Sequence, residues 1–322
     1  MLFGGVARQK ENAMKIITLT MNPAIDKSSE VRHVVAERKL RCRPPSFEPG
    51  GGGINVSRAI RNLGGRSLAV YPSGGAPGQL FRELLDNDGI NHHSLPVKNR
   101  TRQNLVIYET DTGQQFRFGM PGPELFRNEW QACLDMIFGQ PPDTGFLVAS
   151  GSLPPGVPDD FYAWLAVRCR EKNIRLILDT SKQPLCSAVE KGVFLIKPNL
   201  NELDTLAGRR LQNETDRESL ACSLVEQKKS QYVVVSLGAA GVLAVSTDGV
   251  RRLRAPTVDI KSKVGAGDSA VAGITLKLAE GRPFMDAVRY GMAAGAAAVM
   301  TPGSALCRRP DTESHCEQVR TV

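Results

Sequence analysis

A carboxylate set in a glycine-rich turn is the first candidate for chemistry: Val264-Gly265-Ala266-Gly267-Asp268-Ser269, followed at once by the small-residue helix pattern Ala270 to Leu276. Glycine lets the backbone approach a ligand closely. The unpaired N–H groups that open a helix attract phosphate through hydrogen bonds and the helix dipole. The turn reads as an anion cradle with a proton acceptor, Asp268, inside it. Two other readings compete. Asp is a favoured N-cap, so Asp268 could do no more than cap the helix. Gly265, Gly267 and Ala270 also satisfy the G-x-G-x-x-A dinucleotide fingerprint, although that motif belongs after a first strand and this one follows a polar run at 259–263.

Other turns carry groups that could join it. Gly50-Gly51-Gly52-Gly53 runs straight into the helix pattern at Ile54-Asn55, and four glycines in a row cost backbone entropy unless a ligand must reach the main chain. Asp26 follows the first strand-like run and is either a turn residue or a site residue; Asn55, at a helix start, is likewise either a helix cap or a site residue. Ser152 lies in the turn Ser150 to Gly156. Arg102 and Arg117 flank a hairpin-like stretch and have the forked geometry that grips phosphate. Lys197-Pro198-Asn199-Leu200-Asn201-Glu202 places an amide and a carboxylate three residues apart on one helix face, a spacing that can organise hydrated magnesium or simply start a helix. Ser236 to Gly241 is a glycine-spaced turn, either a hairpin or a nucleotide-edge loop.

These turns need a scaffold. Short apolar runs recur at Lys15–Thr20, Ser67–Tyr71, Phe146–Ala149, Arg175–Leu178, Val193–Ile196, Tyr232–Ser236 and Val242–Val245. Helical patterns stand between most of them, at Asn55–Leu63, Gln79–Asp88, Asp159–Lys172 and Arg217–Gln227. Continuous apolar strands alternating with helices predict a doubly wound α/β sandwich around a buried parallel sheet, with ligands outside the carboxyl ends of the strands. Two stretches break the alternation, 27–46 and 103–118, the second with an Asp111-Thr112-Gly113 turn; together they predict a small β-layer serving as lid or dimer surface. The Ala- and Gly-rich patterns from Gly265 to Val299 predict two closely packed helices.

Composition limits the function. A chain of 322 residues, 41% hydrophobic, can bury one large core. Residues 1–13 read as an extension before Met14, and 14–322 as one domain. Seven scattered cysteines without a C-x-x-C pair fit a reducing cytoplasm. The net charge of +8 is spread thinly, which favours small anionic substrates over nucleic acid, and no window is apolar enough for a membrane span. A P-loop, a G-x-S-x-G elbow and an H-E-x-x-H site are absent. The four histidines, His33, His92, His93 and His315, read as surface or loop residues.

With Gly50–Asn55 at one end and Val264–Asp268 at the other, the chain resembles the PfkB, or ribokinase-like, family of sugar kinases from Met14 onward. Within that family, Lys39–Cys42, Phe47–Val56, Thr101–Asn104, Met120–Gly122 and Ser150–Gly156 look like the branch of bacterial minor 6-phosphofructokinases. Related 1-phosphofructokinases and tagatose-6-phosphate kinases usually carry Lys where this chain has Gly52, and remain the alternatives. The resemblance implies a ribokinase-like sandwich with a β-lid and a cytoplasmic, glycolytic homodimer joined through the lids, with pairing into tetramers left open. It implies ATP-dependent phosphorylation of fructose 6-phosphate with Mg²⁺ and a monovalent cation such as K⁺. Asp268 would be the base, with the N–H groups of Gly265, Ala266 and Gly267 holding the transferring phosphoryl group. Asp26, Gly51, Gly52, Gly53 and Asn55 would hold sugar hydroxyls, and Arg102, Arg117, Ser152 and Arg41 the sugar's own phosphate. Lys197, Asn199, Ser236, Gly238 and Gly241 would border the nucleotide, Glu202 would order Mg²⁺ through water, and Lys39 matches a lysine linked to regulatory ATP. Ser262, Val264, Ala298, Thr301 and Gly303 would surround the monovalent cation. Lys263 departs from the small residue usual in that loop, so a weakened response to K⁺ is expected.

Overall fold

The computed structural model describes residues 15–140, 144–262, 264–301 and 305–321; residues 1–13, Lys263 and Gly303 lie outside them. The chain begins with β1 (Lys15–Leu19), β2 (Ala24–Val31), β3 (Ser46–Gly50), α1 (Gly52–Asn62), β4 (Leu68–Ser73), α2 (Gly75–Asn87) and β5 (His92–Pro96). It continues through β6 (Arg102–Glu109), β7 (Gln115–Phe118), α3 (Arg127–Phe138), β8 (Thr144–Ser150), α4 (Phe161–Glu171), β9 (Arg175–Asp179), α5 (Lys182–Val189) and β10 (Val193–Ile196). It ends with α6 (Leu200–Ala207), α7 (Glu214–Glu226), β11 (Ser230–Ser236), β12 (Val242–Ser246), β13 (Gly249–Arg254), α8 (Ala266–Ala279), α9 (Phe284–Val299), α10 (Arg309–Cys316) and β14 (Arg320–Thr321).

Ten strands form one sheet in the order β14-β13-β12-β11-β10-β9-β8-β1-β4-β5. From β5 to β11 every pairing is parallel. Successive residues of β8 feed opposite cores: Leu147 and Ala149 pack under the α3–α7 side, while Phe146 and Val148 pack under α1, α8 and α9. Burial on both faces is why these strands read as unbroken apolar runs. Beyond β11 the sheet turns antiparallel, so the expected parallel sheet is mixed. The cause is the Ser236–Gly241 turn, which is a hairpin: Leu237 N–H donates to the Gly241 carbonyl at 2.8 Å, leaving no length for a crossover helix. The close helix pair is α8 against α9, where a Cβ on Gly273 would stand 2.9 Å from the Cα of Gly291.

A second sheet, β3-β2-β6-β7, forms the β-layer, with β6 and β7 folded about the Asp-Thr-Gly turn. Its first strands are displaced from the expected 27–46: they occupy Ala24–Val31 and Ser46–Gly50, and 32–45 has no strand. Pro44 and Pro45 cannot donate to a ladder, and the stretch is dense in charge. Its start is tethered instead to the buried Glu109 carboxylate, which accepts from Val34 N–H at 2.6 Å and faces His33 Nδ1 at 2.7 Å. His92 is no loop residue either: it sits in edge strand β5, its ring bridging Tyr71 Oη at 2.9 Å and Asp86 Oδ1 at 3.0 Å. His315 lies in α10 with Nε2 3.0 Å from Met300 Sδ. All seven cysteines are free.

Candidate active site

Gly265 is the N-cap of α8 at φ 75°, a left-handed conformation suited to glycine, and Leu306 fills the space a Cβ would need. Ser269 N–H reaches the Gly265 carbonyl at 2.8 Å, so the amides of Ala266, Gly267 and Asp268 have no partner within the helix. Asp268 is the third helical residue and not the cap. Its Oδ2 accepts instead from Asn55 Nδ2 at 2.9 Å, across 213 positions of sequence. Asn55 is not a cap either: α1 is capped by Gly51 at φ 114°, and Asn55 N–H donates to the Gly51 carbonyl at 2.9 Å. Both capping readings therefore fall. The dinucleotide reading falls too, since 255–262 before α8 contains no strand.

The Asn55–Asp268 bond draws the positive ends of two helix dipoles together, an arrangement that favours an anion between them. Lys197, at the end of β10, is buried with Nζ 3.3 Å from Asp179 Oδ1 and 3.5 Å from the position a Gly267 Cβ would take. Burial works against its charge, but the carboxylates of Asp179, Glu202 and Asp268 outweigh burial and hold its pKa above the ordinary value. Asp268 is pushed up to about 7, mainly by desolvation and then by the like charge of Asp179, with the Asn55 hydrogen bond and Lys197 opposing. A carboxylate with that pKa is matched to proton transfer near neutrality.

The glycine run presses α1 against the strand ends. A Cβ on Gly53 would stand 2.5 Å from the Leu19 carbonyl; one on Gly52 would meet Ser150 Oγ and lie 3.0 Å from Gly151 N. On the small sheet, Asp26 Oδ1 accepts from Asn104 Nδ2 at 2.8 Å. The register sets Asp26 beside Asn104 and Arg117 beside Val106, so Asp26, Arg102, Asn104 and Arg117 share one face. Ser152 Oγ accepts from Asn22 Nδ2 at 3.1 Å. Arg102 is not the open fork expected: Nη1 donates to the Met120 carbonyl at 3.0 Å and Nη2 to that of Asn22 at 2.9 Å. Its buried Nε and the buried Oδ1 of Asn22 have no protein partner, two orphaned polar atoms next to each other in the chain's bonding network. Arg41, Lys39 and Arg117 are exposed and make no hydrogen bond or ion pair with the described residues, so nothing joins them to the cradle.

Asn199 and Glu202 form a capping box: Asn199 Oδ1 accepts from Glu202 N–H at 3.0 Å, and Glu202 Oε2 from Asn199 N–H at 2.9 Å. Burial also pushes the Glu202 pKa up. Ser236 N–H donates to the Pro198 carbonyl at 2.9 Å, joining the hairpin of Gly238 and Gly241 to the start of α6. Lys261 and Ser262 donate to the Val299 carbonyl at 2.8 and 3.1 Å, and Val264 N–H to Ser262 Oγ at 3.2 Å. That loop thus meets the negative end of α9, though the Ala298 carbonyl already accepts from Thr301 Oγ1 at 2.7 Å. Asp179, Asn22 and Asn104 were not among the residues expected. Asp179 was open to discovery, because it directly follows a predicted strand at the edge where ligands gather.

Comparison with known proteins bears on this geometry. A family model described as pfkB family carbohydrate kinase matches residues 15–311. The chain is 42% identical over 307 residues to the ATP-dependent 6-phosphofructokinase isozyme 2 of Mycobacterium tuberculosis, covering 95% of this chain and 90% of that protein. It is 40% identical over 301 residues to the isozyme 2 of Escherichia coli, covering 93% and 97%. A 1-phosphofructokinase of Borreliella burgdorferi matches at 30% over 306 residues, covering 95% and 97%. The E. coli phosphofructokinase-2 solved with potassium superposes with a TM-score of 0.91, at 39% identity and covering 95% and 99%. The same enzyme has been solved with fructose-6-phosphate and in a tetrameric inhibited form, each at a TM-score of 0.89.

Proposed function

The chain belongs to the pfkB family of carbohydrate kinases, and from that premise we propose that it transfers the γ-phosphoryl group of ATP to the 1-hydroxyl of fructose 6-phosphate. The products are fructose 1,6-bisphosphate and ADP. The observation that carries the reading is the Asn55–Asp268 hydrogen bond, which fixes a carboxylate of pKa about 7 at the mouth of two helix N-termini. Asp268 accepts the hydroxyl proton as the sugar oxygen bonds to phosphorus and the bond to ADP breaks. The amides of Gly265 to Gly267 carry hydrogen bonds to the phosphoryl oxygens as their charge redistributes.

Asp26, Asn55 and the backbone of Gly51 to Gly53 hold the sugar hydroxyls, and Ser152, Arg102, Arg117 and Arg41 the existing phosphate. Arg102 Nε and Asn22 Oδ1 are orphaned on that side, as expected of groups kept for a ligand or water. Lys197, Asn199, Ser236, Gly238 and Gly241 border the nucleotide. Magnesium fits the donor set: Glu202 and Asp179 supply hard oxygens, burial and then the nearby Asp179 charge raise the proton affinity of Glu202, and Mg²⁺ commonly takes one or two carboxylates plus water and phosphate. When bound it neutralises phosphate charge. Ser262, Val264 and the carbonyl end of α9 suit a monovalent cation. With Lys263 between Ser262 and Val264 in the sequence, activation by K⁺ should be weak; a large saturable stimulation would contradict that.

The unpartnered face of the small sheet suits a homodimer. By register Phe47, Leu105 and Phe118 lie on the face opposite Asp26, and Phe47 and Phe118 are 36% and 47% exposed. Regulatory ATP at Lys39, assembly into tetramers and a cytoplasmic location belong to the same reading. ADP release should be compared for fructose 6-phosphate, tagatose 6-phosphate and fructose 1-phosphate. The highest kcat/KM is expected with fructose 6-phosphate; a preference for fructose 1-phosphate would overturn the substrate and leave the kinase standing.

A further inference from the structure

A cavity of about 380 Å³ opens on the outer side of α1, between that helix and the start of α10, and it contains none of the residues placed in the catalytic cleft. Four arginines line it: Arg58 and Arg61 from α1, and Arg308 and Arg309 from the entry to α10. Among the described lining residues two carboxylates, Glu48 and Asp88, oppose them, and Glu313, outside the lining, pairs with Arg309. Arg58 is mostly buried, its Nε on Asp88 Oδ2 at 2.8 Å and Nη1 on the Pro49 carbonyl at 3.3 Å, so Asp88 is already neutralised. Burial also raises the proton affinity of Glu48, weakening its opposition.

Two of the three remaining guanidinium groups pack against glycines. Arg61 lies over Gly89, where a Cβ would come 2.8 Å from Nη2; Arg309 lies over Gly64 in the same way at 3.1 Å, its Nε bonded to Glu313. The Arg308 guanidinium makes no hydrogen bond or ion pair with the described residues; only its backbone carbonyl is engaged, by Thr312. Planar forks converging from two elements on one cavity match the oxygens of phosphate better than any neutral ligand. The volume lies within the range of small-molecule sites.

We propose that this cavity is a second anion site, which takes a phosphate-bearing metabolite apart from the substrates of the catalytic cleft. Occupancy would be felt at the cradle, because Leu306 in its wall is the residue packed against Gly265. The site stands on its own observations and does not depend on which sugar the cleft takes.

Calorimetric titration of magnesium-free tripolyphosphate into the full chain, at about 0.15 M salt to suppress diffuse attraction, tests it. Two classes of site are expected in the wild type, only one of them displaced by ATP. The Arg61→Ala/Arg308→Ala double variant should weaken the ATP-insensitive class at least tenfold while the other stays. Should that variant fail to fold, Arg61→Lys/Arg308→Lys keeps the charge, loses the forks and should still weaken it. An isotherm unchanged by either pair, or a wild type with only the ATP-displaced class, would overturn the proposal.

Discussion

The two sheets present chemistry under opposite conditions. On the large sheet, Asp268, Asn55, Lys197 and Asp179 come from four separate elements and are joined in two directly bonded pairs, coupled to each other through their charges, in a largely buried setting. On the small sheet, Arg117 and, in the loop beside it, Arg41 and Lys39 stand exposed without partners among the described residues, above a half-exposed apolar face. The first region is preorganised: its charges are set before any ligand arrives, which is what stabilising a developing charge requires. The second has its charges unengaged. On the proposed reading, proton transfer and phosphoryl stabilisation belong to one subunit, whereas the grip on the sugar's phosphate awaits a substrate and a second copy.

The strongest way to break this contrast is Asp268→Asn. It keeps the shape of the side chain and removes the base, so kcat should fall on the order of a thousandfold, within the range for general-base removal, while sugar and nucleotide binding stay nearly unchanged. Near-normal turnover would show that the buried network is structural only. Asn55→Ala should lose less, roughly tenfold to a hundredfold, since the carboxylate remains but is no longer held.

Sequence reveals these two regions unequally. The cradle was legible because its requirements are local: a glycine, Gly265, at positive φ, a helix start and a carboxylate in a fixed spacing. Whether Asp268 capped its own helix could not be read, because the partner that decides it, Asn55, is 213 positions away. The parallel strands announced themselves through apolar runs, but the antiparallel edge did not, since the alternation of β13 (Gly249–Arg254) is masked by its three arginines. Helices α3 and α5 passed unnoticed because their faces are mixed. In the small sheet, register added what residue type could not: Arg117 is a candidate phosphate fork by type, and pairing with β6 is what places it on the Asp26 face.

The open region can be sharpened at two points. Phe118→Asp places a charge on the apolar face of the small sheet and should shift the chain from dimer to monomer in light scattering, with kcat/KM falling about tenfold or more as phosphate contacts from the second copy are lost. A variant that stays dimeric would move the interface elsewhere. Arg117→Ala should raise KM for the sugar phosphate by about tenfold with kcat little changed, the signature of losing one charged hydrogen bond in ground and transition states alike. An equal loss in kcat would instead place Arg117 at the reacting phosphate.

The smallest effect tests the buried network through pH. Asp268 ordinarily ionises near 3.8 and is raised to about 7 in the fold, so the base is protonated and idle below that value. The kcat/KM profile should therefore rise with pH through about 7. Stability should run the other way: between about 4 and 7 the folded state binds more protons than the unfolded one, so this group's contribution falls as pH increases. Asp179→Asn removes the like charge and frees Lys197 to lean toward Asp268; both changes favour the carboxylate. The acidic limb should then move down by up to about one pH unit, whatever happens to kcat, because the limb reports the base and not the metal. A limb that stays in place would mean that desolvation alone sets the Asp268 pKa, and that the four-residue network positions the base without tuning it.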